Sequence, residues 1–557
     1  MAVLRGTDAI VECLKRMQVQ RVYGVIGTSI LGFFDGLYEA RESIRYVSCR
    51  HEQVAASMAD AEGRLTRRPG VAALHSGPGS LNGMISLANA AKDCSPVIAI
   101  TGSIKRRLQG CDGMLELDHV RVFRPICRAA FRVEEVRTIP EIMTEAWRSA
   151  LGGPGGPVLI EVPEDVWSER ADIPMDSLDV TPPSQLSVPI SQVEAILARL
   201  LKAARPLFLA GAGVSYTRSG DVLQTLSERL QIPVITTGNG RGAISELHPL
   251  ALGRAGYGGG TPVADEAMRQ ADFILALGCT VSDITTYEYS WRIEADIVAV
   301  NLDKDNEAKA IPMEAVYGDV GQFLNNLATA TSREKHGERQ SWIDQLAPQR
   351  VAWRNLLDSA RQTAGRPVSP THVCDRLASM LKEDDIITVG AGLHLLYPMA
   401  FIPCRRQSTF LSAVNFGAMG FGFPAALAAK LVYPAREVVA ILGDGDFMMT
   451  VQDLETAVRE KIAVRMIIIN DNAYRVIALR QQAQWGNRIY GTQHDNPDFC
   501  KLADSFGIPA WRITEFSQIE KALTSALSQA GPSLIEVVTP ADDVPPTNLE
   551  AALRMSG

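Results

Sequence analysis

A strand, a glycine turn, a helix and a second strand follow one another in residues 437–476, and this unit constrains the fold more than any other part of the chain. Its two apolar runs, EVVAILG and VRMIIIN, have the length and continuous hydrophobicity of strands that are buried on both faces. Between them, apolar residues recur at helical spacing over residues 451–462. Parallel strands joined by a crossover helix need a sheet covered by helices, so this part of the chain is predicted to be an α/β domain.

The same alternation of strands and helices occurs in three successive parts of the chain. We therefore predict an α/β fold of three doubly wound parallel-sheet domains, at residues 1–180, 187–345 and 365–557. The predicted strands lie at 21–27, 44–50, 70–76, 96–103 and 156–163, then 206–213, 232–237, 271–278 and 296–303, and finally 384–390, 437–446, 464–471 and 532–539.

Composition excludes several classes of partner. The 55 Lys and Arg residues are outnumbered by 63 Asp and Glu, so the net charge is -8 and neither nucleic acid nor an anionic membrane is expected as a partner. No apolar run reaches the roughly 18 residues of a membrane span, and the charged N-terminus is unlike a signal peptide. The nine scattered cysteines contain no CxxC pair and suggest neither disulfides nor zinc. A cytoplasmic location is the expectation.

Polar residues end both strands of the 437–476 unit. Gly443, Asp444 and Gly445 follow the first strand, and the sequence Asn-Asp-Asn at 470–472 follows the second. Because the carboxyl ends of parallel strands meet at one edge, Asp444 and Asp471 can converge on a hard cation such as Mg²⁺ or Ca²⁺. The glycines let a diphosphate approach the backbone at a helix N-terminus. Either cluster alone would favour an ordinary turn or a surface loop, but together they predict a metal–diphosphate site.

This arrangement resembles the signature of the thiamine diphosphate enzymes, in which GDG is followed one crossover later by an Asn-rich turn. The resemblance implies that the side chains of Asp444 and Asp471 and the carbonyl of Ala473 bind Mg²⁺. Asp471 stands where relatives have asparagine, and Asp446 where they often have serine or alanine. The carboxylate of Asp446 is expected to point away from the diphosphate or to cap the helix, since two anions in contact repel each other.

Two further motifs of the family are present. The sequence RHEQ at 50–53 resembles the family's glutamate motif, so Glu52 is expected to hydrogen-bond the aminopyrimidine ring and activate the cofactor; otherwise it interacts only with the helix dipole. In NFGAMGFG at 415–422, main-chain groups of Gly417 and Met419 are expected to hold the pyrimidine. The Met419 side chain would bend the cofactor, unless it is an ordinary core methionine.

The resemblance covers nearly the whole chain. It implies a pyrimidine-binding domain, a central domain like transhydrogenase domain III and a diphosphate-binding domain, in the order found in the large subunit of acetolactate synthase, benzoylformate decarboxylase, benzaldehyde lyase, oxalyl-CoA decarboxylase and 2-hydroxyacyl-CoA lyase. In this group Glu52 of one subunit would reach the cofactor held by Asp444 of another, so a homodimer or homotetramer is expected. The central segments GAGVS (211–215) and LDKDNE (302–307) lie where relatives bind FAD or ADP or leave the domain empty.

Three loops are candidates for the substrate pocket. In the first, Thr28 or Ser29 either binds a substrate carboxylate or caps the following helix. In the second, LHS at 74–76 resembles the active-site segment of benzoylformate decarboxylase, so His75 is either a proton shuttle or a structural residue. In the third, Met114 and Leu115 replace the Phe-Gln of the acetolactate synthase loop, which argues against standard acetolactate synthase activity.

The resemblance implies an enzyme that uses thiamine diphosphate and Mg²⁺ to decarboxylate or ligate 2-oxo acids, as acetolactate synthase does. The segment SGPGSLNGMISLANAAKDCSP keeps open an acyl-CoA substrate, as for 2-hydroxyacyl-CoA lyase or oxalyl-CoA decarboxylase. The family also includes benzoylformate decarboxylase-like enzymes, a flavin-dependent pyruvate oxidase type and non-catalytic paralogues that bind thiamine diphosphate, and the sequence is compatible with each of them. His394, in GAGLHLL, either contacts the diphosphate or substrate or is a packed histidine at a helix start.

Overall fold

The computed structural model describes residues 2–184, 186–256, 259–302, 310–331, 339–362 and 368–547. The chain forms two compact units, the first made of residues 1–184, 415–435 and 447–464, and the second of residues 185–414, 436–446 and 465–557. One six-stranded parallel sheet lies in the first unit and two lie in the second, which confirms the predicted α/β fold. No helix in the described ranges is long and apolar enough to cross a bilayer.

The strands and helices alternate along the chain as the hydrophobic pattern predicts. The strands are β1 (Ala2–Arg5), β2 (Arg21–Gly24), β3 (Arg45–Ser48), β4 (Gly70–Leu74), β5 (Val97–Ser103), β6 (Ala129–Arg132), β7 (Pro157–Pro163), β8 (Arg170–Ile173), β9 (Pro206–Ala210), β10 (Val234–Thr236), β11 (Ala251–Arg254), β12 (Phe273–Leu277), β13 (Asp296–Asn301), β14 (Glu314–Tyr317), β15 (Ile386–Val389), β16 (Phe410–Ser412), β17 (Val438–Gly443), β18 (Arg465–Asn470), β19 (Ala510–Ile513) and β20 (Ser533–Val538). The helices are α1 (Gly6–Arg16), α2 (Leu31–Glu39), α3 (Glu52–Thr66), α4 (Pro78–Lys92), α5 (His119–Phe123), α6 (Ile139–Leu151), α7 (Ile190–Lys202), α8 (Ala212–Tyr216), α9 (Gly220–Leu230), α10 (Pro262–Gln270), α11 (Asp283–Thr286), α12 (Val320–Thr331), α13 (Gln340–Gln345), α14 (Ala347–Arg361), α15 (Pro370–Met380), α16 (Leu396–Phe401), α17 (Gly422–Val432), α18 (Asp444–Met448), α19 (Leu454–Arg459), α20 (Arg475–Gln484), α21 (Phe499–Ser505) and α22 (Ile519–Leu527).

The sheet of the first unit has the strand order β3-β2-β4-β5-β7-β6, and all of its pairs are parallel. Strands β4, β5 and β7 are buried along their whole length, as expected for a sheet covered on both faces. The short strands β1 and β8 form a separate antiparallel pair.

Helix α3 is the centre of the first unit, because nearly every residue from 54 to 65 along it is buried. The small-residue helix α17 belongs to the same unit and is joined to α3 at both ends. The Gln53 side-chain amide donates to the Met419 carbonyl at 3.0 Å, and the Tyr433 hydroxyl donates to the Leu65 carbonyl at 3.3 Å. Alanine-rich surfaces on both helices allow this close packing.

The second unit contains two sheets of the same kind. Their strand orders are β11-β10-β9-β12-β13-β14 and β16-β15-β17-β18-β20-β19, again with parallel pairs. Strands β17 and β18 are buried at every residue, which agrees with their continuous apolar sequences. The carboxyl ends of β15, β17, β18 and β20 therefore lie side by side at one edge of the last sheet.

Two predictions differ from the structure or fall outside it. The continuous helix predicted over 451–462 is instead short: α18 ends at Met448, and α19 begins at Leu454 after a turn of 3-10 helix. Val458, one of the apolar residues that recur at helical spacing in 451–462, is 39% exposed and so does not lie on a buried face. Residues 303–307 of the LDKDNE segment lie outside the described residues. The predicted domain boundaries stay a prediction.

Candidate functional site

Asp444 is the first residue after β17, and its carboxylate is buried and hydrogen-bonded on both oxygens. Oδ1 accepts the Gly445 N–H at 2.7 Å, and Oδ2 accepts from the Asn496 side-chain amide at 2.6 Å. The same amide donates to the Asn470 Oδ1 at 2.9 Å, so Asn496 ties the ends of β17 and β18 together. His494 Nε2 lies 3.6 Å from Asp444 Oδ2. Asp444 is therefore held in a fixed orientation.

Asp471 follows β18, on the strand next to β17. Its Oδ1 accepts the Ala473 N–H at 3.2 Å, and its Oδ2 accepts from Arg475 Nε at 2.7 Å. Burial raises the pKa of Asp471, the Arg475 charge opposes that shift, and the charge of Asp444 adds to it. This last effect means that the two carboxylates interact electrostatically. Arg475 also explains how an aspartate is tolerated at this position, because it neutralises the added negative charge.

The donor set at this edge fits a hard divalent cation. Two carboxylates end neighbouring strands. Ala473 is a buried residue, only 5% exposed, and its carbonyl accepts no hydrogen bond from the described residues. A buried carbonyl without a donor is costly unless a ligand binds it. Oxygen donors of these kinds suit Mg²⁺. Asp444, Asp471 and Ala473 are therefore the residues that would hold Mg²⁺, although Arg475 shares the Asp471 carboxylate.

Gly443 and Gly445 are required by close contacts on either side of Asp444. A Cβ on Gly443 would lie 2.6 Å from His394 Nδ1, and a Cβ on Gly445 would lie 2.5 Å from the Tyr474 ring. Both glycines therefore keep the backbone beside Asp444 close to aromatic rings. The approach of a diphosphate to this turn stays a prediction.

Asp446 and His394 face each other inside the second unit. The Asp446 carboxylate lies over Gly390, and its Oδ2 is 3.6 Å from His394 Nε2. His394 is 5% exposed, and burial lowers its pKa to about 3, so the imidazole is neutral. The Asp446 carboxylate is thus turned towards the loop after β15. Whether His394 contacts a diphosphate or substrate stays a prediction.

Glu52 is the first residue of α3, in the first unit, and is buried, with 7% of the residue exposed. Its Oε2 accepts from the Asn82 side-chain amide at 3.0 Å. Gly79 lies against it: an added Cβ would be 2.6 Å from Glu52 Oε1 and 2.8 Å from the His75 Cβ. Glu52 and His75 therefore line the same small space, next to α4.

The predicted pyrimidine-binding segment lies in the first unit. Gly417 is exposed, has a positive φ of 74° and would have nothing within 4 Å of an added Cβ, so its backbone is open to a ligand. Met419 is half-buried, and its carbonyl accepts from Gln53. The cofactor contacts predicted for these two residues stay predictions.

Ser29 and His75 are joined by a hydrogen bond of 2.8 Å between Ser29 Oγ and His75 Nδ1. Ser29 is buried, whereas Thr28 is exposed, and neither side chain caps α2. Burial lowers the pKa of His75, and the nearby Glu52 charge raises it by less. Thr28 is exposed, as is Ile26 in the same loop, and the substrate contact predicted for Thr28 stays a prediction.

The loop at 110–116 is closed by Glu116, whose carboxylate accepts the Gly110 and Gly113 N–H groups. The Met114 side chain is 87% exposed, and the Leu115 carbonyl accepts from the Ser76 hydroxyl at 2.9 Å. The third candidate loop therefore lies next to the His75 segment. The substrate contacts predicted for Met114 and Leu115 stay predictions.

The glycines of the central GAGVS segment are used by the protein's own backbone. A Cβ on Gly211 would lie 2.2 Å from the Cys279 Cβ, and a Cβ on Gly213 would lie 2.7 Å from the Gly278 Cα. This close packing accounts for the glycines without a nucleotide. No observation in the described part of the central sheet favours FAD or ADP.

Sequence reasoning missed the residues that orient the predicted side chains. Asn82, Asn496, His494 and Arg475 each contact or face a predicted site residue. Of these four residues, only Arg475 could have been predicted from the sequence, because it lies four residues after Asp471, a spacing at which side chains of opposite charge pair.

Comparison with known proteins identifies the family of the whole chain. Three thiamine pyrophosphate enzyme families match it: the N-terminal TPP binding domain at residues 4–122, the central domain at 193–327 and the C-terminal TPP binding domain at 390–537. The chain is 32% identical to a probable acetolactate synthase large subunit of Methanocaldococcus jannaschii, over 97% of this chain and 93% of that protein. It is 31% identical to the mitochondrial acetolactate synthase of Schizosaccharomyces pombe, over 96% and 83%. It is 30% identical to the acetolactate synthase isozyme 2 large subunit of Escherichia coli, over 96% and 95%.

The matched regions contain the two clusters described above. Glu52 lies in the N-terminal TPP binding domain, and Asp444 and Asp471 lie in the C-terminal one. The chain therefore belongs to the thiamine diphosphate (thiamine pyrophosphate) enzyme family.

Proposed function

We propose that this enzyme uses thiamine diphosphate and Mg²⁺ to decarboxylate and ligate 2-oxo acids in the manner of acetolactate synthase. The observation that supports the proposal most strongly is that hydrogen bonds orient the carboxylates of two clusters. One cluster contains the oxygen atoms of Asp444 and Asp471, and the other contains the Glu52 carboxylate, which accepts from Asn82. The names of the full-length relatives support the same reaction class.

Each cluster has a distinct task. Thiamine diphosphate supplies, when bound, a carbon that adds to a carbonyl and accepts the electrons released as the adjacent C–C bond breaks. Asp444, Asp471 and the Ala473 carbonyl would hold Mg²⁺, and the backbone at Gly443 and Gly445 would bind the diphosphate. Glu52 hydrogen-bonds the aminopyrimidine ring and controls its proton, and Asn82 keeps the carboxylate in position.

The active enzyme is proposed to be a homodimer or homotetramer in which Glu52 of one subunit serves the cofactor bound by its partner. Exposed apolar residues in the first unit support self-association. Leu81 and Ile85 lie one turn apart on α4 and are 45% and 40% exposed, and Asn82, which donates to Glu52, lies between them in the sequence. Size measurement in solution distinguishes dimer from tetramer. A cytoplasmic location remains part of the proposal.

Small 2-oxo acids are favoured over acyl-CoA thioesters, because the full-length relatives reported above are acetolactate synthases. The substrate loops differ from those of standard acetolactate synthase, because Met114 and Leu115 replace Phe-Gln and because His75 is present. These differences favour a donor or acceptor substrate other than those of standard acetolactate synthase. A benzoylformate-type substrate is the second candidate, since His75 lies beside Glu52.

The test is turnover of a substrate panel by the full-length protein with thiamine diphosphate and Mg²⁺. Pyruvate, 2-oxobutyrate, benzoylformate, a 2-hydroxyacyl-CoA and oxalyl-CoA are supplied singly and in pairs, and products are identified by NMR. Carboligation or decarboxylation of a 2-oxo acid supports the proposal. Turnover of only the thioesters, or tight cofactor binding without any turnover, contradicts it. Visible absorbance of the purified protein tests for a flavin, and we expect none.

A further inference from the structure

The side chain of Ser29 makes two hydrogen bonds, and their directions determine the proton position on His75. Ser29 is 3% exposed. Its Oγ accepts the Ser76 N–H at 3.0 Å and lies 2.8 Å from His75 Nδ1. An amide N–H can only donate, so the hydroxyl oxygen is the acceptor in the first bond and its proton is free for the second.

Only one tautomer of His75 satisfies all of these groups. If His75 carried its proton on Nδ1, the buried Ser29 hydroxyl proton would have no acceptor among the described residues, which is unfavourable. If the hydroxyl donates to Nδ1, then the Ser76 N–H, the Ser29 hydroxyl and the His75 Nδ1 are all paired. Neutral His75 then carries its proton on Nε2.

The ring is also held in place by its surroundings. A Cβ on Gly27 would lie 2.4 Å from both Cγ and Nδ1 of His75, so the Gly27 backbone packs directly against the ring. The Trp167 indole N–H donates to the Ser29 carbonyl at 2.9 Å and fixes the backbone that carries the hydroxyl. Nε2, at the opposite edge of the ring, has no hydrogen-bond partner among the described residues and is not buried. It is therefore available to a ligand.

His75 cannot regain a proton through the Ser29 hydroxyl. The other partner of Ser29 Oγ is a backbone amide, which keeps its proton, so a relay through Ser29 ends there. His75 can hydrogen-bond an oxygen through Nε2–H, but it cannot accept a proton on Nε2 while this tautomer holds.

We propose that Ser29 is a positioning residue that locks His75 in the Nε2–H tautomer, so that His75 binds a carbonyl or carboxylate oxygen of the substrate as a hydrogen-bond donor. This inference rests on the proposed function and narrows the proton-shuttle role predicted for His75 to hydrogen-bond donation. It also assigns Ser29 a role other than direct substrate contact or helix capping. The substrate class it selects is one with an oxygen acceptor beside the reacting carbon, as 2-oxo acids have.

The tautomer is measured by NMR of the full-length protein labelled with ¹⁵N at its 8 histidines. The His75 signals are assigned by their loss in His75→Gln. We expect the shift of a pyridine-type nitrogen for Nδ1 and of a protonated nitrogen for Nε2, and we expect saturating pyruvate or benzoylformate to perturb Nε2. In Ser29→Ala both tautomers should be populated. A protonated Nδ1 in the wild-type protein, or an Nε2 signal indifferent to both acids, overturns the proposal.

Kinetics separate positioning from a merely structural role. Ser29→Ala should lower kcat about tenfold with the affinity for thiamine diphosphate unchanged, since it weakens one hydrogen bond in the transition state. In the His75→Gln background the same substitution should have no further effect. An equal loss in both backgrounds refutes the positioning role. The matched control is Ser95→Ala, which removes another buried hydroxyl, one bonded to the Asp60 carbonyl, and should leave the tautomer unchanged.

The two proposals fail in distinguishable ways. Absence of 2-oxo acid turnover with the Nε2–H tautomer intact refutes the proposed function and leaves the tautomer assignment standing. Turnover of a 2-oxo acid with a protonated Nδ1 refutes the role of Ser29 alone.

Discussion

Replacing Gly79 with alanine is the sharpest structural test of the Glu52 cluster. The new Cβ would lie 2.6 Å from Glu52 Oε1 and 2.8 Å from the His75 Cβ, whereas ordinary contacts begin at 3.4 Å. The carboxylate must therefore move by about 0.8 Å and the His75 Cβ or the start of α4 by about 0.6 Å, if contacts are to reach that 3.4 Å. Misplacing catalytic groups by roughly 1 Å costs on the order of 10²-fold in rate.

We expect Gly79→Ala to lower kcat/KM for the preferred 2-oxo acid by about 100-fold. Stability should change by less than about 2 kcal/mol, because alanine is the better helix former and offsets part of the overpacking. Gly83→Ala is the matched control one turn along α4. Its Cβ would meet the Leu74 side-chain tips at 3.2 and 3.3 Å and the Ala56 Cβ at 3.7 Å, and so its activity should stay near that of the wild type. Wild-type activity in Gly79→Ala, or equal losses in both variants, would refute the reasoning.

Two further predictions concern the second unit. Asn496→Ala removes the side-chain amide that donates to Asp444, and it should weaken Mg²⁺ binding about tenfold, measured by calorimetry with thiamine diphosphate present. The control is Gln493→Ala, which changes an exposed side chain of the same segment and should leave the Mg²⁺ affinity unchanged. Equal Mg²⁺ affinities in the two variants would contradict the role of Asn496. Burial would raise the pKa of Glu246, but the Arg241 and Arg254 charges outweigh burial and lower the pKa from 4.5 to about 2. Because the pKa of Glu246 is lower in the folded protein than in the unfolded one, the ionised carboxylate stabilises the fold at pH values above 4.5. This contribution to the free energy of unfolding, on the order of 3 kcal/mol, is lost as pH falls from 4.5 towards about 2. Urea midpoints should therefore fall less steeply over that pH window in Glu246→Gln than in the wild type, and parallel profiles would contradict the assignment.

The interior strands of the three main sheets could be predicted from the sequence, but of their six edge strands only β3 was predicted. Buried strands such as β17 and β18 are continuous apolar runs, because both faces are covered. The strands that the pattern missed in the three main sheets, namely β6, β11, β14, β16 and β19, are all at sheet edges. Edge strands are short and partly exposed, so their sequences carry a weaker signal.

The helix after Asp444 was predicted wrongly as continuous because local polar bonds compete with the backbone. Asp453 Oδ1 accepts from the Arg50 N–H and from the Thr456 hydroxyl, so α19 begins only after Asp453. The spacing of apolar residues predicts a helix, but it does not reveal the hydrogen bonds of Asp453 that shorten it.

The predicted site residues that follow strands were identifiable because parallel topology brings strand ends together. Asp444 and Asp471 are in this class. The partners that orient site residues were not identifiable. Asn82 reaches Glu52, and Ser29 reaches His75, only through tertiary packing between elements distant in sequence. No periodicity or spacing reports such pairs.

The most direct measurement is the rate of hydrogen–deuterium exchange at C2 of thiamine diphosphate bound to the wild-type protein and to Glu52→Gln, with Mg²⁺ present. Cofactor binding is measured on the same samples by calorimetry. We predict affinities within a few-fold of each other and exchange slowed by about 10²–10⁴-fold in the variant, the usual contribution of a positioned acid–base group. Exchange at the wild-type rate in Glu52→Gln would contradict the role of Glu52 in activating the cofactor.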